Sequence, residues 1–299
     1  MTSLHLWEGA VTKPETPSSN ILVAAAWMVG VISSFSAMAI AGRSARTELD
    51  TFEVMLYRSL IGVVIVLLVA ASTRQTSQIR PNRLGLHFLR NLSHFIGQNL
   101  WFFALPLIPL AKLIALEFST PVWVLFLAAL FLGEVLTRQR ILVAVIGFVG
   151  VLVVANPEVG SLDAGTIAAA LAALGFAGSA VMTKRLTRTE PILSIMFWLT
   201  VFQAGMGALM VLYDGQITLP SPALWGPVAL VGLTGLSAHF CLTKALSLAP
   251  SVVVMPMDFL RLPTMTILGV LLYQESLEVS VVIGAALILG ANAINLRKS

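Results

Sequence analysis

Charge is what this sequence has least of. Asp, Glu, Lys and Arg make up 11% of the 299 residues, where soluble domains carry about 25%. That shortage, beside 58% hydrophobic residues and a mean hydropathy of +0.92, excludes a water-soluble enzyme, a nucleic-acid-binding domain and a disordered chain. The single cysteine, Cys241, excludes an intrachain disulfide and a cysteine metal cluster. In its apolar stretch it reads as a small buried thiol. No Gly-x-x-x-x-Gly-Lys-[Ser/Thr] segment is present, which argues against ATP drive within the chain. The histidines at 5, 87, 94 and 239 do not form a ligand cluster by spacing, and no His-Glu-x-x-His occurs, so neither metal nor cofactor is expected. Residues 1–19 are polar and lack the basic start and small-residue cleavage site of a signal peptide. They are expected to form a flexible cytoplasmic tail.

What is present is a succession of long apolar runs with short polar breaks. Spans are predicted at about 20–41, 51–71, 84–104, 110–132, 138–155, 163–183, 192–213, 223–245, 251–273 and 279–296. Most are long enough to cross a hydrocarbon core of about 30 Å. Their continuous apolarity indicates helices, because barrel strands alternate in segments of about 10 residues. Lys and Arg set the orientation. With the N-terminus inside, twelve basic residues fall in cytoplasmic segments and three (Arg43, Arg46 and Lys112) on the opposite side, leaving Arg58, Arg90 and Arg261 within spans. Both termini are therefore expected in the cytoplasm.

The chain is also written twice. A shift of 141 residues aligns Ala104-Leu105-Pro106-Leu107-Ile108-Pro109 with Ala245-Leu246-Ser247-Leu248-Ala249-Pro250, Glu117-Phe118 with Asp258-Phe259, and Glu134-Val135-Leu136 with Glu275-Ser276-Leu277. Tyr57 meets Trp198 and Gln98 meets His239. Five spans per copy is an odd number, so the second copy must enter the membrane from the opposite side. The expected fold is an all-α integral membrane protein of ten transmembrane helices, a five-plus-five inverted-topology repeat spanning 20–155 and 163–296. Secondary transporters use that architecture, with a site near the midplane between the halves; a duplicated structural bundle is the alternative.

Phe131-Leu132-Gly133-Glu134, followed by Gly147 and Gly150, resembles the end of an EamA-type repeat of the drug/metabolite transporter superfamily. In the second copy Gln274-Glu275 keeps the acid without the preceding glycine, and Gly284 and Gly290 supply the later small positions. The resemblance covers residues 20–296 and implies a secondary carrier of amino acids or other small metabolites, in many members an exporter. Glu134 and Glu275, at span ends, are expected to meet solvent, a loop arginine or the exposed amides of the next helix's N-terminus. The four glycines are expected to let helices approach closely.

Ionisable groups inside the membrane cost about 2.5–3.5 kcal/mol on insertion scales and need a partner or a wet cavity. At about 100° per residue, His87, Arg90, His94 and Gln98 share one face of the third span, a candidate cavity wall continuing to Trp101. Snorkelling to the surface is the alternative for His87 and Arg90. Equal depth predicts Arg58 near Glu117 and Arg90 near Asp258, with Arg261 on the face of Asp258 at i+3. These groups, with His239, either hold helices together, bind the charged ends of a substrate or exchange a proton. Pro121 removes the amide that would bond the carbonyl of Glu117, and Pro256 and Pro263 flank Asp258, so all three are candidate hinges. Tyr57, Trp101 and Trp198 are candidate cavity aromatics, with packing as the alternative.

The leading expectation is a secondary transporter in the cytoplasmic (inner) membrane, moving amino acids or related amines, in the export direction, by alternating access. Its partners would be a small-molecule substrate and the bilayer, with no nucleic acid. Proton coupling through Glu117, Asp258 or His94 and uncoupled exchange both fit, as do a monomer and a weak homo-oligomer. An intramembrane enzyme and a membrane receptor or scaffold are the competing classes.

Overall fold

In a computed structural model of the chain, residues 18–132, 138–155, 163–187, 189–215, 217–248 and 257–297 are described. The residues up to 17, Gly133, Glu134, the linker over 156–162 and Pro256 lie outside that set. The helices are α1 (Ser18–Ala45), α2 (Thr51–Ser72), α3 (Leu84–Ala104), α4 (Leu110–Glu117), α5 (Thr120–Leu132) and α6 (Arg138–Ala155), then α7 (Ala164–Leu186), α8 (Ile192–Asp214), α9 (Trp225–Leu248), α10 (Arg261–Tyr273) and α11 (Val279–Arg297). Five of the regions, within α1, α2, α7, α8 and α9, are long and apolar enough to cross a membrane. Large apolar side chains such as Leu22, Leu68, Leu212 and Leu271 stand exposed on the outer faces. Soluble proteins do not tolerate so much contiguous apolar surface, and a bilayer supplies its solvent.

The duplication seen in the sequence reappears in helix starts. α2 and α8 begin at 51 and 192, α3 and α9 at 84 and 225, α5 and α10 at 120 and 261, α6 and α11 at 138 and 279, each pair 141 apart. Packing repeats likewise. α1 lies on α9 and α3 on α7, contacts that exchange under the shift, while α2 packs on its own equivalent α8 and α6 on its equivalent α11. Local chemistry fixes several starts. Asp50 caps α2 in a reciprocal box, accepting from the Glu53 amide at 2.7 Å while its own amide donates to Glu53 Oε2 at 2.9 Å. Asp163 caps α7 by accepting from Thr166 N at 2.8 Å and lies 3.8 Å from Lys112 Nζ. Burial works to raise the Asp163 carboxyl, but the Thr166 bonds and Lys112 outweigh it and hold it below its ordinary value.

Bare backbone lets the long helices cross. A Cβ on Gly175 of α7 would stand 2.7 Å from Gly97 Cα of α3, and one on Gly284 of α11 would stand 2.6 Å from the Gly150 carbonyl of α6. A Cβ on Gly147 would lie 2.3 Å from Val122. Three of the four glycines expected at close approaches are therefore there, while a Cβ on Gly290 would meet nothing within 4 Å, so that glycine serves no crossing. Gln274, where the first copy has a glycine, ends α10 in the left-handed region at φ 55°, the conformation glycine takes without steric cost. Cys241 is half-buried rather than fully so, 3.0 Å from where a Cβ on Gly30 would stand.

The crossing of α3 and α7 yields a test. Gly175→Ala forces backbone against backbone and should destabilise by about 1–3 kcal/mol, read as a lowered melting temperature of detergent-solubilised protein by tryptophan fluorescence. Gly205→Ala, with open space around it, should leave the melting temperature unchanged.

Candidate functional site

Two helix breaks carry the acids. The predicted fourth span is interrupted: α4 stops at Glu117, Phe118 and Ser119 form a turn, and α5 resumes at Thr120. Pro121 cannot supply the amide that would bond the Glu117 carbonyl, and the Thr120 hydroxyl takes that bond instead at 2.6 Å. At the equivalent place in the second half, Phe259 and Leu260 form a turn between Asp258 and α10, and Pro263 sits in the first turn of α10. Membrane helices tolerate such interruptions only inside protein or beside a cavity.

Between the breaks Arg261 holds both acids. Its Nη2 donates to Glu117 Oε1 at 2.7 Å and to Asp258 Oδ2 at 3.0 Å. The expected i+3 partnership with Asp258 is thus present, while Glu117 belongs to Arg261 and not to Arg58. Trp101 Nε1 donates to the second Glu117 oxygen at 2.9 Å, so this tryptophan serves the carboxylate. The Arg261 guanidinium lies 4.9 Å from the Phe35 ring centre and 5.2 Å from that of Phe118, two cation–π contacts in a desolvated setting. Arg261 is 5% exposed and each acid 15%. One cation shared by two anions leaves the group with a net charge of −1.

Arg58 and Arg90 stand apart from the acids of the described residues. Among the described residues no carboxylate lies in ion-pair range of Arg58 or Arg90. Arg58 reaches Met55 Sδ at 3.5 Å and packs against α9, where a Cβ on Gly235 would be 3.0 Å from its Nη2. Arg90 donates to Thr183 Oγ1 of α7 at 3.1 Å and to Asn91 Oδ1 at 2.8 Å. The expected Arg58–Glu117 and Arg90–Asp258 pairs therefore do not form. The reason is lateral: α2 packs on α8 and α9, and α3 on α7 and α8, whereas α4 packs on α10. Equal depth puts residues on one level without making them neighbours.

The polar face of α3 is buried as a whole: His87, Arg90, Asn91, His94 and Gln98. Burial rules out snorkelling for His87, whose ring lies 6.3 Å from that of Trp198. His94 stands edge-on to His239 at 5.2 Å and 5.7 Å from Phe176, and Phe35 bridges from His239, 5.8 Å away, to Arg261. The two arginines are near enough to these histidines and to each other to act through their fields. Gln203 of α8 was not foreseen. Its amide donates to Asn91 O at 3.0 Å, and its carbonyl oxygen is buried without a partner. A lone amide midway along an otherwise apolar span was the available signal.

Tyr57 and Trp198, expected over a substrate, go to opposite ends of the bundle. Tyr57 donates to Thr218 O at 2.7 Å and packs on Trp225; Trp198 donates to Arg80 O at 2.9 Å. Arg43 and Glu275 meet at 2.5 Å at the Tyr57 end. Arg43 also donates to Leu105 O at 2.9 Å and Ile108 O at 2.8 Å, and stacks 4.4 Å from the Tyr273 ring centre. The second Glu275 oxygen accepts from Leu110 N, the first amide of α4, at 2.8 Å. An arginine was anticipated for this glutamate, but the helix amide it meets is that of α4 and not of the helix that follows it.

Comparison with known proteins accords with this arrangement. The sequence matches the EamA-like transporter family over residues 22–156 and again over 163–297. It is 32% identical to a riboflavin transporter of Brucella anthropi, over 91% of this chain and 97% of that one. It is 28% identical to an S-adenosylmethionine uptake transporter of Rickettsia felis, over 89% of each. A solved crystal structure superposes with a TM-score of 0.63 at 20% identity, covering 92% of this chain and 96% of the other, a likeness of fold.

Removing Arg261 tests the shared ion pair. Arg261→Ala leaves two uncompensated buried acids and should cost about 3–5 kcal/mol. Adding Glu117→Gln and Asp258→Asn to that variant should recover much of the lost melting temperature. No recovery would mean that Arg261 acts by packing rather than by charge.

Proposed function

The chain belongs to the EamA-like transporter family, and from that premise we propose that it is a secondary carrier taking up riboflavin, or a molecule closely like it, through a site between its two halves. It is a transporter of small molecules and not an enzyme. The carrying observation is the buried pair Arg58 and Arg90, two guanidinium groups with no carboxylate beside them among the described residues. Each fork of N–H donors seeks acceptors. The pyrimidine edge of a flavin is rich in carbonyl and ring-nitrogen acceptors and carries no positive charge to be repelled. The Brucella anthropi relative, which bears the riboflavin name, is alike over nearly its whole length. The amino-acid preference drawn from mixed buried charge is replaced in this reading, because Glu117 and Asp258 are occupied by Arg261. The export preference is replaced as well, since the S-adenosylmethionine relative is named for uptake.

In this reading residues 20–155 and 163–296 are two five-helix repeats of opposite orientation in the cytoplasmic membrane, with both termini in the cytoplasm. The helix breaks beside Pro121 and Pro263 are the bending points as access alternates. The gathering of Arg43, Leu105, Leu110 and Glu275 at one end supports a closed external side. Acceptance of S-adenosylmethionine is the second reading, favoured by the net negative group at Arg261, which suits a sulfonium.

The test is flux into proteoliposomes made from purified protein. Radiolabelled riboflavin should enter saturably without ATP, and excess unlabelled riboflavin should block entry more effectively than excess S-adenosylmethionine. An imposed pH gradient that accelerates entry assigns proton coupling to the carrier, and equal rates assign facilitated exchange. Riboflavin entry no faster than in empty liposomes would sink the proposal.

A further inference from the structure

A small cavity lies where the two halves face each other. It has a volume of about 10 Å³ and is lined by Arg58, Ser59 and Gly62 of α2 and by Leu199, Thr200 and Gln203 of α8, with Gly232, Leu236 and His239 of α9 closing it. The α2 and α8 residues are three equivalent pairs, each 141 positions apart. Residues that face their own equivalents straddle the axis relating the halves, so this cavity sits on that axis. Glu117 and Asp258, also equivalents, meet on the same Arg261 nitrogen and mark a second point on it. In an inverted repeat the axis lies in the membrane plane, at the depth from which either side can be reached.

The two points on the axis differ in what they leave unmet. At Arg261 the cation is paired with both anions, and what it leaves unmet is its own Nε and Asp258 Oδ1. At Arg58 the hydrogen-bond partner of the guanidinium among the described residues is a thioether, at 3.5 Å. The Gln203 carbonyl oxygen in the cavity wall has no partner, and neither has His94 Nε2 beside His239; Gln203 is 2% exposed and His94 4%. Arg90 adds a second positive charge that neutral Thr183 and Asn91 do not cancel. Buried charge without a counter-charge is costly in a membrane, and a cavity of this size has room for about one water. Something outside the chain completes this site when the halves part.

We infer that Arg58, backed by Arg90 and flanked by Gln203, is the docking point for a planar two-acceptor edge of the substrate, read by the guanidinium fork. The inference rests on the transporter reading above and assigns that site its ligand chemistry. Two sources present such an edge: a carbonyl and the adjacent unprotonated ring nitrogen of a flavin, and the carboxylate of a molecule with an amino-acid end such as S-adenosylmethionine. Gln203 adds a neutral amide whose free oxygen accepts an N–H, which the flavin ring carries next to that carbonyl and a carboxylate lacks. The Arg261 group does not contact this edge; through Phe35, which touches both Arg261 and His239, it holds the wall of the site.

The experiment titrates the full-length protein in lipid nanodiscs with riboflavin by flavin fluorescence and with S-adenosylmethionine by calorimetry. Arg58→Lys keeps the charge and removes the planar fork. It should weaken riboflavin binding by about tenfold or more, the scale of a lost hydrogen bond to a charged group. Gln203→Leu, a neutral change of similar volume, should also weaken riboflavin, and it decides the matter if the lysine variant does not fold. If riboflavin fails to bind the wild type but S-adenosylmethionine binds and is lost in Arg58→Lys, the riboflavin reading falls and the docking point stands with a carboxylate as its ligand. Wild-type affinity in the folded variants, or binding of neither ligand to the wild type, overturns the inference.

Discussion

A charge inside a bilayer has no water to turn to, and the arrangement of this protein follows from that constraint. Arg261 answers it for three residues at once, binding Glu117 and Asp258 at 2.7 and 3.0 Å under two phenylalanine rings. The two acids sit where their helices break, so the ion group also pins those breaks together. α3 joins through Trp101 and α1 through Phe35. Much of the centre of the bundle is thus referred to one guanidinium, and Arg58 and Arg90, with no described carboxylate in range, stand out against a neighbour that has two.

Features that depend on position along a helix were legible in the sequence. The 141-residue repeat is recovered in helix starts, and the polar face of α3 was visible from angular spacing and is buried throughout. The break at Glu117 was foreseeable because Pro121 deletes a specific hydrogen bond. Features that depend on which helix stands beside which were not. Arg58 and Glu117 share a depth but belong to α2 and α4, which face different neighbours. Arg43 and Glu275, 232 residues apart, carried no mutual signal until the helices were assembled. Tyr57 and Trp198 are equivalents in sequence, and their opposite destinations become visible only once the partners Thr218 and Arg80 are placed.

The ends of the bundle and its middle use polar groups differently. At the Arg43 end, arginine, glutamate, three backbone groups and a tyrosine ring satisfy one another across α1, α4 and α10. Breaking such a cluster requires replacing several bonds together, which suits a contact that is either made or unmade. In the middle, the donors of Arg58 and Arg90 outnumber the acceptors offered to them, and the shortfall lies beside a cavity rather than in packed core.

The backbone and its acids are duplicated, but the arginines within the spans are not. The equivalents of Arg58, Arg90 and Arg261 in the other half are Leu199, Val231 and Thr120. If the two halves exchange conformations, the resulting states have mirrored helix geometry but unequal electrostatic energy, because the cations ride with one partner each time. A carrier exchanging its halves in that way would not be a symmetric rocker with two degenerate positions. Its resting preference would lie in three unduplicated arginines, and a substrate able to neutralise them would shift the balance by the difference in how strongly it binds the two states.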